Sequence, residues 1–260
     1  MTDLTLLTVY IAITIYLAAL GACFGSFINA ASLRYAAGQD FVKGRSVCPG
    51  CKVVLCWYDL IPMASFIILK GRCRYCKSKI PARYVLIELL AAIAFPLCFA
   101  VLGMIWFTIA ALAVTCILLA ISLIDLATSE IPDGLIIALI PIAIVSIWLM
   151  PEIGVLSRLI GMVAISLPML ILTLIISGAF GGGDIKLMAV CGFMLGLQNT
   201  LLAFFIALLL GGGRAVYLMA AKNRKYKKHM VFGPALSAGI FISILFGEDI
   251  IHWYLSFFGL

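Results

Sequence analysis

The sequence predicts an all-α integral membrane protein of about eight transmembrane helices with one small loop domain. Three observations carry this prediction: charge is scarce, apolar runs near 20 residues recur, and basic residues are confined to two stretches. Of the 260 residues, 65% are hydrophobic and only 11% charged, whereas a soluble domain is about 25% charged. Ten of the 18 Lys and Arg residues lie from Arg34 to Arg83 and five from Lys222 to Lys228, leaving Arg158, Lys186 and Arg214. The net charge of +7 therefore describes two loops. Basic loops beside apolar spans set membrane orientation, and this reading displaces nucleic-acid binding.

A helix rises 1.5 Å per residue and needs roughly 20 apolar residues to cross a bilayer core. Candidate spans are 6–28, 84–103, 105–124, 134–150, 158–177, a short sixth at 185–197, 200–220 and 231–246. The aromatic tail from His252 to Leu260 reads as interfacial. With both basic loops in the cytoplasm, the amino terminus lies outside. The turns at Asp125–Asp133 and Gly181–Asp184 then lie inside, and the two loops agree on one count. The start MTDLTLL has no Lys or Arg before its apolar run, so the first segment reads as a retained span and not a cleaved signal. Three parts follow: residues 1–33 with the first helix, 34–83 as a cytoplasmic loop domain, and 84–260 as a helical bundle. No long internal repeat favours a transporter of inverted repeats.

Only 11 acidic residues occur, and an acid near membrane depth asks for a reason. Asp125 follows AVTCILLAISLI and opens DLATSEIPD; Asp184 closes GAFGGGD. Three consecutive glycines permit close approach and positive φ, which places Asp184 on a bent or broken helix. Two acids at one depth on different helices can hydrolyse a peptide bond, one acting as base on water while its protonated partner polarises the carbonyl. Lone acids at helix ends are more often caps, and Asp133 after Ile131-Pro132 fits that role. A cation path would use the same ingredients.

Cys48-Pro-Gly-Cys51 and Cys73-Arg-Tyr-Cys76 form two CxxC pairs. Two such pairs complete a tetrahedral thiolate site, and four soft ligands suit zinc. In a reducing cytoplasm disulfides are disfavoured, and redox exchange needs only one pair. The loop is therefore predicted to be zinc-stabilised, since it is too small for a strong core of its own. Its apolar run 60–69 is too short to span and packs on the metal site or the membrane face. Cys23, Cys56, Cys98, Cys116 and Cys191 read as packing residues.

Seven motifs then occur in order. They are GSFINAASLR (25–34), CPGC (48–51), WYDLIPMASFIILKGRCRYC (57–76), ARYVLIELL (82–90), IDLATSEIPD (124–133), GGGDIKL (181–187) and FGPAL (232–236). Together they resemble the bacterial type IV prepilin peptidases, leader peptidases and N-methyltransferases of the GxGD aspartyl class. The resemblance implies that Asp125 and Asp184 are the catalytic acids. It also implies cleavage of prepilin or pseudopilin leaders after glycine at the inner face of the cytoplasmic membrane. S-adenosylmethionine would then methylate the new amino terminus, and Gly71 and Arg72 match a pair linked to that step. No motif places the methyl-donor pocket.

Neighbouring residues carry weaker readings. Lys186 can stabilise a carboxylate or an oxyanion near Asp184, or snorkel to the inner face. Gly181 and Gly183 support Asp184. Glu88 can pair with Arg83 or Arg34 or touch substrate, and Asn29 can hold substrate backbone or, the favoured reading, bond across helices. Gly211–Gly213 allow close helix packing, and Lys222–Lys228 meets lipid headgroups. The rival functions are a zinc-stabilised channel or carrier with acids along an ion path, and a non-catalytic scaffold of a secretion machine. Oligomeric state is not encoded in any motif.

Overall fold

The computed structural model describes residues 2–40, 44–104, 106–220 and 231–257. The basic stretch Lys222–Lys228 and the end of the aromatic tail, 258–260, lie outside them. Among the described residues the secondary structure is helical, apart from two isolated antiparallel bridges, Val47–Val54 and Arg72–Lys79. Six helices are long and apolar enough to cross a membrane, and a shorter apolar one runs from Asp133 to Leu149. The chain divides into two compact units, Met1–Gly103 and Met104–Leu260. The third helix thus groups with the first helix and the loop, one span later than the sequence boundary at 83.

In the first unit, α1 (Thr2–Ala36) and α3 (Arg83–Leu102) form an antiparallel pair. Gly21 lies against Ala91, Gly25 against Ile87 and Glu88, and Tyr10 stacks near Phe99. Both helices therefore meet the intervening loop at the same end. At 35 residues, α1 is about 52 Å long and outruns a hydrocarbon core of about 30 Å. The loop itself holds a 3-10 turn, Trp57–Asp59, and the short α2, Ala64–Ile68.

The second unit contains α4 (Trp106–Thr128), α5 (Asp133–Leu149), α6 (Val155–Ala164), α7 (Ser166–Ile175), α8 (Gly182–Ala220) and α9 (Gly233–Ser256). The fifth predicted span is divided between α6 and α7. Pro168 cannot donate to the Ala164 carbonyl, which breaks the ladder near Ile165. The last helix continues through the tail to Ser256, where the sequence suggested an interfacial segment.

Within α8 the helix is interrupted at Gly196, where φ is 72° and ψ 177°. Positive φ of this kind is inexpensive only for glycine. The halves fold back on one another, because the Thr200 hydroxyl donates to the Gly192 carbonyl at 3.3 Å. In a continuous helix, eight residues would separate them by about 12 Å. The short sixth and the seventh predicted spans are thus two arms of one reversal.

A reversal in an apolar bundle exposes backbone groups that lipid cannot satisfy. The Leu197 N–H donates to Ser157 Oγ at 3.1 Å, and Ser243 Oγ donates to the Asn199 carbonyl at 2.7 Å. Arg158, fully buried, supplies the rest. Its guanidinium donates to Phe193 and Met194 carbonyls at the end of the first arm, and to the Ile153 and Met150 carbonyls. It also reaches both oxygens of Ser146 at the end of α5.

Arg158→Ala is expected to lower stability by about 3 kcal/mol or more, since it orphans several buried carbonyls at once. Arg158→Lys should recover only part, because an ammonium offers three donors in place of five. Equilibrium unfolding in detergent measures both; equal stability of all three proteins would refute the role given to Arg158.

Candidate functional site

Asp125 lies in the last turn of α4 and is 5% exposed. Its Oδ2 accepts a hydrogen bond from the Gly233 backbone N–H at 2.7 Å. That N–H belongs to the first residue of α9, where amides lack intrahelical acceptors. A Cβ on Gly233 would sit 2.5 Å from the same oxygen. Only glycine permits this contact.

Asp184 lies in the first turn of α8 and is 8% exposed. Its Oδ1 is buried without a hydrogen-bond partner, and Gly181 lies beside Oδ2. Gly183 lets Ile131 approach, since a Cβ there would come within 2.6 Å of the Ile131 Cβ. The loop after Asp125 therefore rests on the turn that carries Asp184. Phe180 and Phe232 close the same end, with ring centroids 5.9 Å apart. Acids 59 positions apart thus meet at one end of the second unit.

Several sequence expectations are corrected here. The glycines at 181–183 all keep negative φ; positive φ falls on Gly178 instead. They act by letting chains approach. Lys186 does not bond Asp184 but pairs with Asp133 Oδ1 at 2.7 Å, both side chains being more than half exposed. Asp133 is the first residue of α5, while Pro132 holds the cap position and no side-chain cap bond forms. Glu88 is buried and accepts the Met63 N–H at 2.7 Å, holding the start of α2. Gly211 packs closely on Phe232 and Ala235 of α9 as expected, while among the described residues Gly212 and Gly213 meet no such neighbour. Asn29 is fully buried, and both polar atoms of its side chain lack a partner in place of the predicted interhelical bond. Gly233 was not singled out, although the FGPAL motif contains it; a backbone donor leaves no side-chain chemistry to read.

In the first unit the four sulfurs of Cys48, Cys51, Cys73 and Cys76 lie within 4.8 Å of one another. None is in a disulfide. Cys48 and Cys76 sulfurs are 3.8 Å apart, which matches the edge of a tetrahedron with metal–sulfur bonds of about 2.3 Å. The two pairs sit on equivalent turns. Lys52 N–H donates to Cys48 O and Lys77 N–H to Cys73 O, while Cys48 and Cys73 donate to Val53 O and Ser78 O. Lys52 and Lys77 both have φ of 58°. The Cys51 N–H aimed at its sulfur pulls the Cys48 thiol down to about 6 against the effect of burial. At Cys51 the Val53 N–H is outweighed by burial and the Cys48 and Cys76 sulfurs, which push its thiol up to about 11, so the crowded sulfurs divide between thiolate and thiol. Arg74 ties this site to the 3-10 turn through Asp59 at 2.7 Å and lies over the Tyr58 ring. Gly71, with φ of 67°, packs on Phe66, and Arg72 stands exposed beside Cys73.

A family model described as "Bacterial Peptidase A24 N-terminal domain" matches residues 19–102, and one described as "Type IV leader peptidase family" matches 112–216. A Prepilin leader peptidase/N-methyltransferase of Bacillus subtilis (strain 168) is 30% identical over 236 residues, covering 91% of this chain and 95% of the relative. The chain belongs to the type IV leader peptidase family. Relatives of the same description from Aeromonas salmonicida (strain A449) and Neisseria gonorrhoeae are 34% and 30% identical, over 82% and 84% of this chain and 75% and 77% of theirs. No solved structure matches. The division of the family models falls beside the boundary of the two compact units.

Because Lys186 and Asp133 are open to solvent, their coupling should not exceed about 0.5 kcal/mol. A double-mutant cycle with Lys186→Met and Asp133→Asn, read by unfolding in detergent, measures it. A coupling several times larger would mean the pair is shielded in the membrane.

Proposed function

We propose that this chain is a membrane-embedded aspartyl endopeptidase. It cleaves the leader peptides of type IV prepilins and pseudopilins after glycine, and then N-methylates the new amino terminus. The observation that carries the reading is the meeting of two buried carboxylates, Asp125 and Asp184, one with an unpartnered oxygen. Membership of the family supports the same reading. An ion path draws no support from that kinship.

In the proposed reaction the dyad shares one proton. The ionised carboxylate takes a proton from water as its oxygen attacks the scissile carbonyl carbon. The protonated partner donates to the carbonyl oxygen, and collapse releases the amine with a proton. Gly233 fixes Asp125 through its N–H, and Gly181 and Gly183 hold Asp184 close to the loop after Asp125. The free Oδ1 of Asp184 is the atom available to water or substrate.

The positive-inside rule puts the dyad and the cysteine cluster on the cytoplasmic side of the bacterial inner membrane. Zinc is the metal proposed for Cys48, Cys51, Cys73 and Cys76, where it would fold the loop. S-adenosylmethionine is the proposed donor and would supply an electrophilic methyl group to the freed amine. Gly71 and Arg72 are proposed to serve that step. Lys186 and Glu88 keep positioning roles through Asp133 and Met63.

Asp125→Asn and Asp184→Asn should each reduce cleavage by about a thousandfold or more, with folding retained. Mass spectrometry of a prepilin incubated with purified protein reads both cleavage and the added methyl group. Near-normal cleavage by either variant would remove the dyad from the mechanism. Elemental analysis of the intact chain should find zinc, one per cysteine cluster, lost in a Cys48→Ser/Cys73→Ser variant. Unchanged metal content in that variant would contradict the assignment.

A further inference from the structure

The loop between α1 and α3 carries a cationic surface that the proposed cleavage does not use and of which the proposed methylation uses only Arg72. Residues 44–82 hold seven Lys and Arg residues against a single acid, Asp59. That acid is engaged by Arg74. A zinc tetrathiolate would add two negative charges, and the surface would still be cationic. Three of the cations, Lys70, Arg72 and Lys77, line an open cavity of about 420 Å³ together with Ile68, Leu69 and Cys73 of the cysteine cluster. The apolar edge of this cavity faces water: Ile67 is 71% exposed and Ile68 72%.

Such exposure belongs to a rigid segment. Glu88 holds the Met63 N–H at the start of α2, and the Leu69 N–H bonds back to Ser65. A cationic cavity rimmed by bulky exposed aliphatic side chains matches the two layers of an anionic phospholipid, phosphate beside acyl chain. The tether supplies the second argument. Because α1 and α3 are antiparallel spans, both ends of the loop leave the membrane at one face, so the surface is never far from headgroups.

We propose that this face docks on the bilayer. Lys70, Arg72 and Lys77 take the phosphate of an anionic phospholipid in their cavity, while Ile67 and Ile68 enter the interfacial layer. A free phosphate would satisfy the cations but would leave the two isoleucines in water.

The test uses the full chain in nanodiscs and reads amide hydrogen exchange over residues 66–72, so it is independent of any turnover. Phosphatidylglycerol discs should slow exchange there at least about tenfold relative to phosphatidylcholine discs, given about fivefold per cation near an anionic surface. A Lys70→Gln/Arg72→Gln/Lys77→Gln variant should abolish the difference. Ile67→Ser/Ile68→Ser should reduce it, and this variant carries the test if the triple variant loses its metal. Equal exchange in both discs would overturn the proposal. So would protection produced by inorganic phosphate alone in phosphatidylcholine discs, since the ligand would then be a free anion.

Discussion

Arg158 is a cation placed where a bilayer tolerates none, and the second unit depends on the reason it is tolerated. Its hydrogen bonds go to uncharged oxygens gathered from the ends of α5 and of the first arm of α8. The Ser146 and Met150 carbonyls also accept the Met150 and Ile153 N–H groups, whereas the Phe193 and Met194 carbonyls stand at the end of the first arm, where lipid offers nothing. The guanidinium and the orphaned carbonyls therefore stabilise one another. Without that exchange the reversal at Gly196 would expose bare backbone, and the first arm of α8 would lose its fixed end. Asp184 sits at the other end of the same arm.

The two acids are placed by backbone economy more than by side-chain pairing. Asp125 is fixed by an amide that begins a helix, and Asp184 by glycines that admit neighbouring chains. Neither acid is neutralised by Lys or Arg through a hydrogen bond among those found at the site. Such a pair keeps its carboxylates available for proton traffic, which a salt bridge would suppress. In the loop the logic differs: two equivalent turns present sulfurs, and Asp59 and Glu88 serve as fasteners between segments.

Much of this was legible in the sequence, for identifiable reasons. Apolar runs near bilayer length pointed to the spans, because that signal is local. The cysteine cluster was legible from paired spacing. Asp125 and Asp184 stood out because acids are rare here. The misreadings share another cause. Lys186 and Asp133 find each other across 53 positions, and Gly233 reaches Asp125 across 108; neither is visible in local pattern. Arg158 was passed over because a lone basic residue at a span boundary resembles a snorkelling one.

The reversal at Gly196 also bears on the membrane itself. The first arm of α8, Gly182 to Leu195, covers about 21 Å, and α5 with its 17 residues about 25 Å. Both fall short of a hydrocarbon layer of about 30 Å, and such hydrophobic mismatch is relieved by thinning the lipid beside the short helices. A transmembrane substrate arriving there would meet a shallower apolar layer than elsewhere. Part of the work of bringing a peptide bond out of lipid would then be done by the shape of the bilayer, before any carboxylate acts.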